Sequence, residues 1–410
     1  MDIEWLRDAF QRTRKDGAKG IDGQSAQDYA ENLEANLQSL LDRAKAGDRY
    51  KAPPVRRTHI PKGNGETRPL GIPTFEDKVL QRAVVMLLEP LYEQDFLDCS
   101  YGFRPGKSAR QALDETWKQL MSMGGGWVLD ADIKGYFDAI DHACLREILS
   151  HRMRDGVVKR LTGKWLNAGV WEQGSITHPE SGTPQGGVIS PMLANIYLHE
   201  VLDVWFEKVV KPRLQGRAFL VRFADDFIMG FEWLEDAQRV RDVLPKRFQK
   251  HGLTLHPEKT RLVDFRMPRN RKGPGEGGPG SFDFLGFTHH WGMSMKGSRI
   301  IKRKTAKSRF SRAIKRMGQW MRTVRHLSVR EQHRTLCRKL TGHFNYYGIT
   351  GNSKSLVRFR WEVEGLWWKW LSRRSYRARL TWEAMKRVLA RYPLPPPKAT
   401  HSILRHAANP

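Results

Sequence analysis

Asp225 and Asp226 stand side by side in the segment Phe219–Phe231 (FLVRFADDFIMGF), which reads as two short apolar strands around a polar Ala-Asp-Asp turn. Adjacent acids flanked by apolar strands raise each other's pKa, and a divalent cation removes that conflict. Asp132 ends a separate apolar strand, and three carboxylates brought together would hold two hard cations through oxygen ligands. Two metals roughly 4 Å apart stabilise the attacking and leaving oxygens of an in-line phosphoryl displacement. The same pair also suits an ordinary polar hairpin turn, where Asp is favoured, so taken alone it leaves both readings open.

The elements that must position these acids are legible around them. In Trp127–Asp132, Trp127, Leu129 and Ala131 alternate with Val128, Asp130 and Asp132, a strand pattern. Lys78–Tyr92 (KVLQRAVVMLLEPLY) is apolar at helical spacing through Val79, Val84 and Leu87, and predicts a buried helix. Mixed elements in this order give an α+β fold. Of the 13 residues in Pro268–Gly280, 8 are Gly or Pro, which predicts a flexible surface loop. The apolar run Phe282–Phe287 after it extends the body to about residue 295. From Tyr392 the chain (YPLPPPKATHS) is proline-rich and predicted to be extended.

The chain has 410 residues and carries 71 Lys and Arg against 44 Asp and Glu, a net charge of +27 that points to a polyanion, foremost nucleic acid. The excess is localised: from Lys296 onward there are 29 basic and 4 acidic residues. A nearly neutral body is thus joined to a strongly basic module, where a phosphate-binding surface outweighs a merely solvated face. At 40% hydrophobic the chain is neither a disordered polyelectrolyte nor a membrane protein, and it has no apolar run of transmembrane length. Cys99, Cys144 and Cys337 are too few and scattered for a disulfide framework or a zinc site, which fits a reducing cytoplasm. The acidic N-terminus (MDIEW) does not look like a signal peptide.

Three motifs fall in order: Asp132-Ile-Lys-Gly-Tyr-Phe-Asp138, Gly182-Thr-Pro-Gln-Gly-Gly-Val-Ile-Ser-Pro191 and Phe223-Ala-Asp-Asp226. Further segments accompany them: Gly17–Gly23, Ile60–Pro73 (IPKGNGETRPLGIP), Tyr101-Gly-Phe-Arg-Pro105, His256-Pro-Glu-Lys-Thr260, Phe284-Leu-Gly-Phe287 and Asn345-Tyr-Tyr347. With these the sequence resembles the group II intron-encoded reverse transcriptases, or maturases, of prokaryotic type, almost from end to end. The resemblance implies a right-hand polymerase with fingers and an antiparallel palm, followed by an all-helical thumb and maturase domain. The implied divisions are an N-terminal extension (1–55), fingers and palm (56–295), thumb and maturase domain (296–390) and a proline-rich tail (391–410).

Carried over position by position, the resemblance implies that Asp132, Asp225 and Asp226 form the catalytic metal triad, with Asp132 and Asp225 as direct ligands and the Ile133 carbonyl completing one shell. It implies two Mg²⁺ ions, for which Mn²⁺ can substitute. Phe137 would pack under the sugar and reject a ribose 2′-hydroxyl, although residue type alone favours a core aromatic. Lys62 and Arg68 would close over the dNTP triphosphate, Arg giving bidentate contacts and Lys a point charge; surface exposure is their ordinary fate. Gln185 would stand beside the incoming nucleotide, and Gly186 would let backbone approach the base pair; a bland Pro-Gln-Gly-Gly turn is the alternative. Lys259 matches a lysine that assists the leaving pyrophosphate. Phe284, Leu285 and Gly286 match the segment that grips the primer end, and a buried strand explains them as well. Phe223 replaces the usual Tyr before Ala-Asp-Asp, which removes one hydrogen bond to primer or template and leaves the ring.

In the basic module, Ser311–Arg325 and Gly365–Arg379 are expected to be helices holding basic groups against an RNA backbone. Trp367, Trp368 and Trp370 are expected in the core, and Arg373, Arg374, Arg377 and Arg379 on phosphate. The partners implied are an RNA template, above all intron RNA, a DNA primer, target DNA and dNTPs, with no membrane. The expected location is a bacterial cytoplasm, on the nucleoid when DNA is the target. After residue 150, Cys337 is the only cysteine, so the C-terminal endonuclease of many relatives is not expected, and retrohoming would take its primer from elsewhere. The reading is therefore an RNA-directed DNA polymerase that also binds its intron as a splicing cofactor. Two alternatives stand beside it: a splicing factor with an idle polymerase site, and a domesticated relative in host defence or DNA repair.

Overall fold

The computed structural model describes residues 1–401 except 64–65, 179–180, 184–185, 269–279, 295 and 375–379, together with the side chains of 48, 62, 63 and 66. Gln185, Arg377, Arg379 and most of the Gly/Pro-rich loop therefore lie outside the described residues. The chain divides into two compact units, Met1–Leu262 and Val263–Pro410. The fold is mixed α+β with antiparallel strand pairing.

In the first unit, Trp127–Ala131 lies between Asp226–Phe231, its antiparallel neighbour, and the strand beginning at Arg261; Ala218–Phe223 completes this four-stranded sheet. Val128, Leu129 and Ala131 are buried, as are Phe227 to Phe231 and Ala218 to Arg222, so a cluster of β-branched and aromatic side chains fixes the sheet. The helix Phe75–Tyr92, capped by Thr74, buries Val79, Leu80, Ala83, Val84 and Leu88 in the same core. The helices Ile3–Arg12 and Leu33–Lys45 join that core, and Trp5 Nε1 donates to the Ala83 carbonyl at 2.9 Å. A second sheet is built on the hairpin of Val55–Gly63 with Glu66–Ile72, in which Ile60 faces Arg68, and it continues through Val170–Glu172 in parallel with Val55–Arg56.

The second unit opens with a meander, Phe282–Phe284, Phe287–Met293 and Arg299–Thr305, before four helices, Lys307–Thr323, Val329–Tyr347, Ser353–Leu371 and Trp382–Arg391. The region expected to be all-helical from residue 296 therefore starts with a strand. Ile301, Arg303 and Thr305 are its buried alternate positions, and helix begins at Lys307. The core of these helices holds Met321, Leu336, Leu340, Leu356, Phe359, Val363 and Trp367. The expected Gly365–Arg379 helix ends instead at Leu371, leaving Arg373 and Arg374 beyond its last turn. Trp367 is buried as expected, but Trp368 is 37% exposed and packs edge-on against Trp382. The reason is helical geometry: residues 367, 368 and 370 cannot share one face at 3.6 residues per turn. Among the described residues the tail, 392–401, runs without helix or named strand and is tied down where His333 Nε2 meets the Pro393 carbonyl and Thr350 N donates to the His401 carbonyl, both at 2.9 Å. No helix among the described residues is long and apolar enough to cross a membrane.

Candidate active site

The hairpin carrying the two acids closes through a two-residue loop, since Phe223 pairs with Asp226 and leaves Ala224 and Asp225 at the tip. Ala224 has φ of +58°, the left-handed value that such turns give to glycine at their first loop position. Asp225 is half-buried and Asp226 exposed. Ala131 pairs with Phe227 across the neighbouring strands, and continuing that register sets Asp132 beside the Asp-Asp tip. Burial pushes the Asp225 carboxyl up from its ordinary range and the charge of Asp132 adds to this, while its backbone hydrogen bond, Arg68 and Arg222 oppose it. That coupling brings Asp132, Asp225 and Arg68 into one electrostatic neighbourhood. Arg68 is exposed on its hairpin; Lys62 lies on the facing strand.

Lys259 also comes to this place. Its Nζ lies 2.6 Å from Asp132 Oδ2, held by a turn in which Lys259 N donates to the His256 carbonyl and His256 N to the Asp132 carbonyl. Among the described residues no group of three His, Cys, Asp or Glu side chains closes into a metal cage. The donor chemistry nevertheless fits a hard cation: the Asp132 and Asp225 carboxylates lie close enough at adjacent strand ends for one charge to act on the other, and an ammonium already rests on Asp132. Ile133 is buried and bridges to Leu255.

The loop after Gly182 is clamped to the same region by backbone. Thr183 N donates to the Phe137 carbonyl at 2.7 Å and Gly182 N to the Ile140 carbonyl at 2.8 Å, while His142 Nε2 meets the Gly182 carbonyl at 2.6 Å. Gly186 has φ of +115°, and a Cβ there would lie 2.6 Å from the Gly71 carbonyl oxygen, so only glycine permits this approach. Phe137 is half-buried, edge-on to Tyr136 at 5.5 Å and packed against the core. In the second unit, Phe284 is buried, and Leu285 and Gly286 form the loop of a tight hairpin with φ of +47° and +83°. Tyr346 Oη donates to the Leu285 carbonyl there. Arg373 lies over the Trp370 ring, and Arg374 donates to the Leu327 carbonyl.

Several supporting residues escape a sequence reading. Gln81 Oε1 accepts from both Val188 N (2.7 Å) and Ile189 N (3.2 Å), and its Nε2 donates to Asp77 at 2.9 Å. Asp77 also receives the Tyr50 hydroxyl and Trp165 Nε1, and burial raises its carboxyl to about 6 against those donors. Gly102 fits against the Ala-Asp-Asp turn, where a Cβ would stand 2.2 Å from Ala224 N. Arg222 is fully buried inside an apolar strand. A charge in the middle of FLVRF was the available signal for it; Gln81 and Asp77 gave only a polar break in an apolar helix face.

Comparison with known proteins places this geometry. Group II intron-encoded protein LtrA of Lactococcus lactis subsp. cremoris is 44% identical over 185 residues, covering 45% of this chain and 30% of that protein. Protein YkfC of Escherichia coli (strain K12) is 40% identical over 222 residues, 52% of this chain and 57% of that protein. The putative COX1/OXI3 intron 1 protein of Saccharomyces cerevisiae is 28% identical over 263 residues, with 52% and 31% covered. The chain thus spans well under two thirds of the length of each of these relatives. Residues 60–289, more than half of the sequence and including Asp132, Asp225 and Asp226, match the family described as Reverse transcriptase (RNA-dependent DNA polymerase). On that match the chain belongs to the reverse transcriptase family.

Proposed function

We propose that the protein extends a DNA primer on an RNA template by two-metal phosphoryl transfer, and that it binds a group II intron RNA as a splicing cofactor and takes part in retrohoming. The observation that carries the polymerase reading is the strand register that sets Asp132 beside the Asp225–Asp226 tip of the Ala-Asp-Asp hairpin. Asp132, Asp225 and the Ile133 carbonyl, with Asp226 beside them, would hold two Mg²⁺ ions. Bound there, the cations supply charge stabilisation at the attacking and leaving oxygens.

The chain's own groups do the rest. Arg68, with Lys62 on the facing strand, receives the triphosphate by charge-assisted hydrogen bonds. Phe137 presents a ring beneath the sugar, and its carbonyl is pinned by Thr183 N, so sugar selection and the Gly182–Ile189 loop form one unit. Gly186, held against Gly71, and Gln185 flank the nascent pair. Lys259 lies on Asp132 until phosphate competes for its ammonium, which would then stand beside the departing pyrophosphate. Phe284–Gly286 contact the primer, and Arg373, Arg374, Arg377 and Arg379 contact RNA phosphates.

The partner assignment rests on the ordered motifs and on the intron-encoded relatives. The test is extension of a labelled DNA primer on an RNA template with Mg²⁺. Wild type is expected to extend, and Asp225→Ala to abolish extension; extension retained in Asp225→Ala refutes the polymerase site. Sequencing of RNA that co-purifies with the tagged protein tests the partner, with intron RNA as the expected species.

A further inference from the structure

Arg222 is 0% exposed, and every donor direction of its guanidinium is occupied. Nε and Nη2 form a fork on Asp203 at 2.8 and 2.6 Å, Nη2 also meets Ser100 Oγ at 2.7 Å, and Nη1 reaches Asn195 Oδ1 and the Ala224 carbonyl, both at 3.0 Å. The last contact is the informative one. Ala224 is the non-glycine residue at φ +58° that immediately precedes Asp225. Its carbonyl belongs to the peptide plane that joins it to Asp225, so a donor fixed on that oxygen fixes the direction in which Asp225 leaves the turn. Left-handed backbone at an Ala is unfavourable and persists only where the surroundings over-determine it.

The surroundings here are built from two distant segments, 99–102 and 195–203. Asn195 holds the guanidinium through Oδ1 and the Gly102 carbonyl through Nδ2 at 2.6 Å, and Gly102 lies so near Ala224 N that a Cβ on it would stand 2.2 Å away. Arg222 N and O are themselves bonded to Cys99 O and Tyr101 N, both at 2.8 Å. Asn195 and Asp203 stand eight residues apart, and between them the helix Ser190–Leu198 passes into the i→i+5 winding of His199–Val210. That winding turns less per residue than an α-helix, which brings Asp203 to the same partner as Asn195.

We infer that Arg222 is a positioning residue of the metal site: by bonding the Ala224 carbonyl it holds the left-handed turn that aims Asp225 at the cations. The inference deepens the proposed polymerase reading and rests on its assignment of Asp225 as a metal ligand.

The experiment measures Mn²⁺ affinity by electron paramagnetic resonance titration of the full chain without nucleic acid, alongside the Mg²⁺ half-saturation of single-nucleotide incorporation. In Arg222→Lys the charge is kept, but a single ammonium cannot serve Asp203, Asn195, Ser100 and Ala224 together. Both constants are expected to rise about tenfold, while KM for nucleotide at saturating Mg²⁺ changes by less than about threefold. Ala224→Gly removes the left-handed penalty, so the Arg222→Lys shift measured in that background is expected to shrink by at least about half on a logarithmic scale. Asn195→Ala, which leaves the ion pair intact, is expected to raise the Mn²⁺ constant about threefold and serves if Arg222→Lys does not fold.

Folded Arg222→Lys or Asn195→Ala within about twofold of wild-type Mn²⁺ affinity overturns the inference, as does an Arg222→Lys shift unaltered by Ala224→Gly. A wild type that binds Mn²⁺ but extends no primer sinks the polymerase reading and leaves the resonance titration to decide this one. A wild type that binds no Mn²⁺ overturns it.

Discussion

Replacing Gln81 by Glu probes how the loop from Gly182 to Ile189 is held. The native amide accepts two backbone N–H groups from Val188 and Ile189 and donates to Asp77, whose carboxyl burial has raised to about 6 from an ordinary 3.8. A folded-state value above the unfolded one means that the Asp77 contribution is most favourable below about pH 4. It is lost as pH rises through about 6, roughly 3 kcal/mol in all, and then levels off. Glu at position 81 keeps the acceptor oxygen for the loop, but it removes a donor from Asp77 and sets a second carboxyl against it. The pair therefore retains a proton to higher pH, and between pH 6 and 8 the variant loses about 1.4 kcal/mol per unit that wild type does not. At about 2–4 °C per kcal/mol, the gap in Tm is expected to widen by roughly 6–12 °C over that interval. Gln81→Met supplies the contrast: it strands the Ile189 N–H, in a residue 2% exposed, and the half-buried Val188 N–H, at a cost of about 2–4 kcal/mol already at pH 6. Circular dichroism melts at pH 6, 7 and 8 and fixed ionic strength should show Gln81→Glu the more stable at pH 6 and the two variants converging by pH 8. Parallel curves for wild type and Gln81→Glu would refute the shared-proton argument, and a Gln81→Met variant as stable as wild type would refute the clamp.

Three further outcomes are expected. Lys259→Met frees Asp132 of its ammonium; because that lysine is 59% exposed the pair is worth at most about 1 kcal/mol, so Mg²⁺ half-saturation should fall by up to about fivefold while incorporation slows, and a higher Mg²⁺ requirement would contradict this. Gly102→Ala places a Cβ against Ala224 N, where backbone must move, and single-turnover incorporation is expected to drop about a hundredfold; a loss under about threefold would show that the turn tolerates the shift. Neutralising Arg373, Arg374, Arg377 and Arg379 together to Gln should weaken RNA binding and flatten its dependence on salt by up to about 0.7 per lost phosphate contact, read by filter binding from 50 to 300 mM salt, with incorporation at saturating template preserved.

What the sequence made legible is what local spacing encodes. Alternation in Trp127–Asp132 and the polar break in FLVRFADDFIMGF located three strands and the turn between the last two, because a strand face and a tight turn are each decided within a few residues. The Phe75–Tyr92 helix was legible for the same reason. The clamps were not: Gln81 bonds residues more than 100 positions away, and Asn195 reaches Gly102 across 93. No periodicity records such a contact, since it exists only after two elements have packed. Arg222 falls between these cases, as a charge in a buried strand demands a partner but does not name Asp203. At the other end of the chain, aromatic and basic residues run on past Leu371, so composition alone carried the helix to Arg379, whereas the backbone turns off at Ser372.

The charge distribution follows the compact units more closely than it follows any motif. Val263–Pro410 holds 33 Lys and Arg against 7 Asp and Glu, and Met1–Leu262 holds 38 against 37. A near-neutral unit suits a site whose central carboxylate is already pushed up by burial and by Asp132, because added cationic groups would compete with divalent ions for the same oxygens. Concentrating +26 in the other unit lets phosphate attraction act through released counterions, a term that salt weakens steeply. Binding and chemistry therefore answer to different variables. On the proposed polymerase reading, ionic strength governs the first through the basic unit, and divalent cation governs the second through Asp132, Asp225 and the buried arginine behind the turn.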